Sequence, residues 1–147
     1  LLQCGLKQDW DTHDDNFGRL GKKLLPPLDR AAAALIEDLV DRGLDQETLV
    51  LVIGEFGRTP VINGKAGRDH WARVFSGLIA GGGLQNGQVV GASDATGGDP
   101  ADRPVHARDF FATMYHALGV DWSTVFTDGQ GRPLPVLPDA AVIDELV

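Results

Sequence analysis

The sequence predicts an α/β fold organised on a parallel sheet, and three features of its 147 residues carry that expectation. A stripe of leucine, alanine, isoleucine and valine runs through residues 24–40 at helical spacing. Directly after it, residues 48–54 (TLVLVIG) form a short continuous apolar run rich in β-branched side chains. A second run, VFSGLIA at 74–80, ends on three consecutive glycines. A helix feeding a strand that is apolar on both faces is the repeating unit of a parallel sheet covered on both sides.

The helix rests on Leu24, Leu25, Leu28, Ala31, Ala32, Leu35, Ile36, Leu39 and Val40, mostly three or four apart, which places them on one face. Pro26 and Pro27 suit its first turn, where a missing N–H costs little, and Gly43 is its stop. Residues 55–70 are polar and punctuated by glycine, and they follow the carboxyl end of the first strand, where open α/β sheets place their ligands. Gly81, Gly82 and Gly83 lack the lysine of a phosphate-cradling loop and read as a turn. Residues 84–102 read as a glycine-rich surface excursion with one β-like piece at 88–91. Phe110, Phe111, Met114, Tyr115 and Leu118 recur at helical spacing before Gly119 and predict a second helix. Residues 121–147, with Pro133, Pro135 and Pro138, read as a packed loop before a short terminal helix. No repeat or linker divides the chain, so a single domain with one core is expected.

Composition excludes several classes. A hydrophobic share of 43% with 23% charged residues is globular, and no apolar run reaches the roughly 20 residues of a membrane helix. Lysine and arginine number 13 against 21 acidic residues, a net charge of −8, which argues against nucleic-acid backbone binding. Cys4 is the single cysteine, so no internal disulfide forms, and with only Lys7 as a basic neighbour it reads as an inert thiol.

Three clusters could carry chemistry. In Asp9-Trp10-Asp11-Thr12-His13-Asp14-Asp15-Asn16 an extended backbone points Asp11 and His13 to the same side, so a carboxylate and an imidazole can share one cation. Mixed Asp/His ligation suits zinc or manganese first, with magnesium or calcium as alternatives. The competing reading is a solvated acidic loop with Asp15 or Asn16 capping the helix. Glu55, directly after the first strand, is placed as a rigid carboxylate ligand or general base. Arg58 either pairs with Glu55 or grips the oxygens of a phosphate or sulfate. His70 follows Arg68 and Asp69 and precedes Trp71; it is either a hydrogen-bonded core histidine or a further ligand. His106 and His116 read as structural.

Taken together, Trp10-Asp11-Thr12-His13, Gly54-Glu55-Phe56-Gly57-Arg58-Thr59-Pro60, Gly67-Arg68-Asp69-His70-Trp71, the triple glycine and Ala112-Thr113-Met114-Tyr115-His116-Ala117-Leu118-Gly119 resemble a bacterial domain-of-unknown-function family, number 1501. That family is related to sulfatases and the alkaline-phosphatase-like superfamily. The resemblance spans residues 10–137, and Asp128-Gly129 with Arg132-Pro133-Leu134-Pro135 is similar to the ending of sulfatase domains. It implies a doubly wound, mostly parallel α/β sheet of which residues 1–147 would be the carboxyl-terminal portion, with residues 1–9 at a truncation boundary. It further implies metal-assisted hydrolysis of phosphate or sulfate esters, small or polymeric, and export to the bacterial periplasm. Asp11, His13, Glu55 and His70 would hold the metal. Arg58, with Arg68 and Asp69, would bind substrate, and Arg58 and Glu55 would serve catalysis. Phe56 stands where the superfamily has a histidine, and the nucleophile would come from a preceding half of the domain. The alternative function is a metal-binding or ligand-binding module of an exported protein that keeps the scaffold without the chemistry.

Overall fold

The computed structural model describes residues 9–147, so Cys4 and the 1–8 part of the expected boundary lie outside the described residues. The first helical segment starts earlier than the apolar stripe: α1 (Asn16–Arg19) runs through a π-helical turn (Leu20–Leu24) into α2 (Leu25–Asp41). Pro26 and Pro27 open α2 as expected, and they remove two backbone donors from its first turn. The ladder widens just before them, with the Leu25 N–H reaching Leu20 O five residues back. At the far end Gly43 takes φ 67° and Leu44 N donates to Leu39 O at 2.8 Å, closing the helix. No residue of α2 is buried, and Leu25, Leu35 and Val40 are exposed.

The doubly wound, mostly parallel α/β sheet is overturned. The strands form four two-stranded antiparallel pairs instead. β1 (Leu49–Ile53) pairs with β4 (Gly77–Gly81) in antiparallel register, Leu49 opposite Gly81 and Ile53 opposite Gly77. The reason lies in the connection. A parallel neighbour needs a crossover, usually a helix, that carries the chain back to the starting edge. Residues 54–76 hold no helix; they hold the short pair β2 (Gly57–Arg58) and β3 (His70–Trp71), and the chain returns beside β1 in the opposite direction. β1 is half-buried rather than covered on both faces, and Ile53 is exposed, because the helices scarcely pack on the strands. The second strand occupies 77–81 rather than 74–80, and 88–91 is not a strand; the local pair is β5 (Ala92–Ser93) with β6 (Pro100–Asp102).

The triple glycine is a turn. All three glycines have positive φ, and a Cβ on Gly81 would stand 2.3 Å from Thr48 O, so only glycine closes this corner. α3 (Ala107–Ala117) forms as expected, ended by Gly119 at φ 68°. The tail is more ordered than a loop: β7 (Val125–Thr127) and β8 (Pro133–Pro135) make a hairpin before a single 3-10 turn at Asp144–Leu146.

Leu24, Leu84, Ala112, Ile143 and Leu146 are the buried apolar side chains among the described residues. All but Leu24 belong to the packing of the tail against α3 and the 84–88 turn, where Gln85 N donates to Leu146 O and Ile143 N to Thr113 Oγ1. The accessible surface is 10081 Å², against about 7,300 Å² for a compact monomer of this mass. The described residues therefore form small strand pairs with few fully buried side chains.

Candidate metal centre

Two segments far apart in sequence build the site. The first is the stretch before α1, where Thr12 and Asn16 are buried and the Thr12 hydroxyl donates to Asn16 Oδ1. Burying Thr12 turns the side chains on either side of it, Asp11 and His13, outward. The second is the β2–β3 pair with its connecting loop, which sets Arg58 opposite His70.

Backbone bonds clamp the two segments together. Arg68 N donates to Thr12 O at 3.1 Å, Asn16 N to Ala66 O at 2.9 Å and Asp15 N to Lys65 O at 3.1 Å. Gly67 allows this approach, since a Cβ there would lie 1.9 Å from His13 O. Asn63 ties the loop to the first segment. Its Oδ1 accepts from Lys65 N and Gly67 N, and its Nδ2 donates to His13 O at 3.0 Å and to Asp69 Oδ1 at 3.2 Å.

At the junction three candidate donor atoms converge. Asp11 Oδ1, His13 Nε2 and His70 Nε2 form a triangle with edges of 3.1, 3.2 and 2.9 Å. Ligands about 2.0–2.1 Å from a tetrahedral zinc lie about 3.3 Å apart, so this triangle fits one face of such a site with little movement. The three side chains are 46, 45 and 50% exposed, so the remaining position faces solvent. Two imidazoles and one carboxylate with an open position are also the donor set of hydrolytic zinc sites.

The surroundings bias the charges. His70 and Arg58 donate hydrogen bonds to Asp11 and hold its carboxyl down at about 2. His13 lowers Asp69 in the same way through a 2.6 Å contact between Nδ1 and Oδ1. The Phe56 ring packs on His70 at a centroid distance of 4.2 Å and walls one side of the triangle.

The other residues singled out from the sequence take different places. Arg58 pairs with Asp11 rather than with Glu55: its Nη2 donates to Asp11 Oδ1 at 2.8 Å and Trp10 O at 3.1 Å, and its Nη1 to Arg68 O at 3.3 Å. Glu55 is exposed beyond the end of β1 and stands outside the group of mutually close ligand atoms. Arg68 turns its Nη1 to Thr59 O and Pro60 O and lays its guanidinium 5.4 Å from the Phe17 ring centroid. Asp69 faces His13. Asn63, Thr12 and Gly67 were not singled out, although Asn63-Gly64 is a turn dipeptide that marks a loop needing side-chain support. A groove of about 680 Å³ lined by Phe75, Val89 and Phe110 lies elsewhere and includes none of the three ligand candidates.

The family described as "Protein of unknown function (DUF1501)" matches residues 2–147. No curated protein and no solved structure matches.

Proposed function

Because the chain belongs to the DUF1501 family of proteins of unknown function, we infer its activity from the site itself: a divalent-cation centre serving hydrolysis of phosphate or sulfate esters in the intact protein. The observation that carries this reading is the convergence of Asp11 Oδ1, His13 Nε2 and His70 Nε2 within 4.8 Å of one another. Zinc or manganese suits the set best. The resemblance to sulfatase-related proteins noted from the sequence supports ester chemistry and export.

A cation held there supplies Lewis-acid polarisation of a phosphoryl or sulfuryl oxygen. The residues around it keep the ligands in place. Arg58 orients the Asp11 carboxylate and offsets its charge. The 2.6 Å contact with Asp69 sets the plane of the His13 ring. Phe56 shields one face of His70 from water. Glu55, exposed beside this wall, is the general-base candidate of the reading.

One observation favours a second reading, in which the centre binds an anionic ligand without turning it over. The Arg58 guanidinium is already shared among Asp11 and two backbone carbonyls, which leaves it less able to follow charge developing on a transferring group. Elemental analysis of protein purified without chelators tests the shared premise, and it also names the ion. About one zinc or manganese per chain, lost in both His13→Ala and His70→Ala, supports the centre. No bound metal, or full retention in both variants, sinks it. Ester hydrolysis by the intact protein that is abolished by His70→Ala selects the enzyme, and retained metal without turnover selects the binding module.

A further inference from the structure

The triangle of ligand atoms is not symmetric in how it is supported. His13 has a partner on each ring nitrogen: Nε2 faces Asp11 and His70, while Nδ1 lies 2.6 Å from Asp69 Oδ1. For His70 the polar contacts among the described residues fall on Nε2, toward Asp11 and His13. An ionised carboxylate offers only acceptors, so the proton in the short Asp69 contact belongs to His13 Nδ1. That leaves the His13 Nε2 lone pair aimed into the triangle. The proton of His70 Nε2 then satisfies Asp11 Oδ1 at 2.9 Å and His13 Nε2 at 3.2 Å.

Asp69 is itself fixed. Its Oδ1 also accepts from Asn63 Nδ2 at 3.2 Å, and its backbone N and O pair with Thr59 Oγ1 at 3.0 Å and Thr59 N at 2.8 Å. The same Asn63 amide reaches His13 O. One side chain thus holds both the histidine's backbone and the carboxylate that orients its ring.

We propose that Asp69, anchored by Asn63, is the positioning residue of the centre: it locks His13 in the Nδ1-protonated tautomer, making Nε2 a ready ligand, whereas His70 must exchange its Nε2 proton for Nδ1 when a cation binds. This rests on the metal reading above, in which Asp69 would otherwise be a substrate contact. Carboxylate support of a ligating imidazole raises its basicity and fixes its ring, and losing such support typically costs about 10- to 100-fold in metal affinity. The two histidines are therefore unequal, one preorganised and one adapting.

The tautomer is read directly from long-range proton–nitrogen correlation spectra of the metal-free wild type, recorded at alkaline pH. The expected spectrum gives His13 as Nδ1–H and His70 as Nε2–H. His13 in the Nε2–H form overturns the proposal, with no variant needed. In Asp69→Ala, His13 should shift toward a tautomer mixture and zinc affinity should fall by about 10- to 100-fold; Asp69→Asn, which keeps a neutral acceptor, should restore part of both. Zinc affinity in Asp69→Ala within about twofold of wild type overturns the positioning role. A wild type that takes up no zinc overturns the metal reading itself, whichever tautomer His13 shows.

Discussion

At the scale of single residues, glycine and small polar side chains decide whether the ligands meet at all. Gly67 passes so close to the His13 carbonyl that a Cβ would lie 1.9 Å from it, against backbone that cannot swing away. Gly67→Ala should therefore part the two segments, costing more than about 2 kcal/mol in urea denaturation and abolishing metal uptake together. Wild-type stability in that variant would show that the clamp is not tight. Gly57 is in the same position, with its Cβ site 2.0 Å from Val74 O. The ligand types and the shared side of Asp11 and His13 were legible from alternation about Thr12. The role of Asn63 was not, because its four hydrogen bonds reach both its own loop and a segment 50 positions away.

At the scale of elements, one buried hydroxyl ties the tail to α3, beside a second bond from Ala141 N to Asp109 Oδ1 at 3.1 Å. Thr113 is fully buried; it donates to Asp109 O at 2.8 Å and accepts from Ile143 N at 2.9 Å. Thr113→Val keeps the shape and leaves the Ile143 N–H without its acceptor, so a loss of about 1–3 kcal/mol is expected, with faster amide exchange in residues 141–147. Unchanged exchange would mean that the Thr113 hydroxyl contributes little to holding the tail. The turn around Asp128 has a local explanation of its own. Asp128 accepts from Gln130 N, Arg132 N and Arg132 Nε, closing the turn between β7 and β8, with Gly131 at φ 80°. α2 and α3 were readable from 3.6-residue spacing and glycine stops, whereas α1 was not. The β5–β6 and β7–β8 pairs were not, since two- and three-residue ladders show no alternation and Pro133 and Pro135 speak against a strand.

At the scale of the whole molecule, carboxylates govern the response to acid. Hydrogen bonds hold Asp11, Asp69, Asp94, Asp121, Asp128 and Glu145 below their ordinary values of 3.8 for aspartate and 4.5 for glutamate. Groups lowered on folding stabilise the native state fully above those ordinary values, and the contribution is lost as pH falls through the folded ones. The urea midpoint of metal-free protein should thus hold steady down to about pH 5 and fall steadily below about pH 4. A midpoint that rises below pH 4 would reverse the sign. Zinc adds a second, separable term: at about 100 times its Kd it should stabilise the chain by about 2.7 kcal/mol, and a chelator should reverse the shift in melting temperature. No such shift would count against the centre. No helix among the described residues is long and apolar enough to cross a membrane.

The sequence by itself determined α2, α3, the glycine corners and the family, because each is written in local spacing or in residue type. Tertiary structure alone decided the direction in which β1 finds its partner and which ligand candidates meet. β1 has the same apolar run whether its neighbour is parallel or antiparallel, and only the helix-free 54–76 connection, folded back on itself, selects the antiparallel one. Likewise Glu55, Arg58, Asp69 and His70 all follow the first strand, yet His70 closes the triangle while Asp69 and Arg58 support it and Glu55 stands apart. Those roles depend on a backbone contact between segments some 50 residues apart, at a distance that only the missing side chain of Gly67 permits.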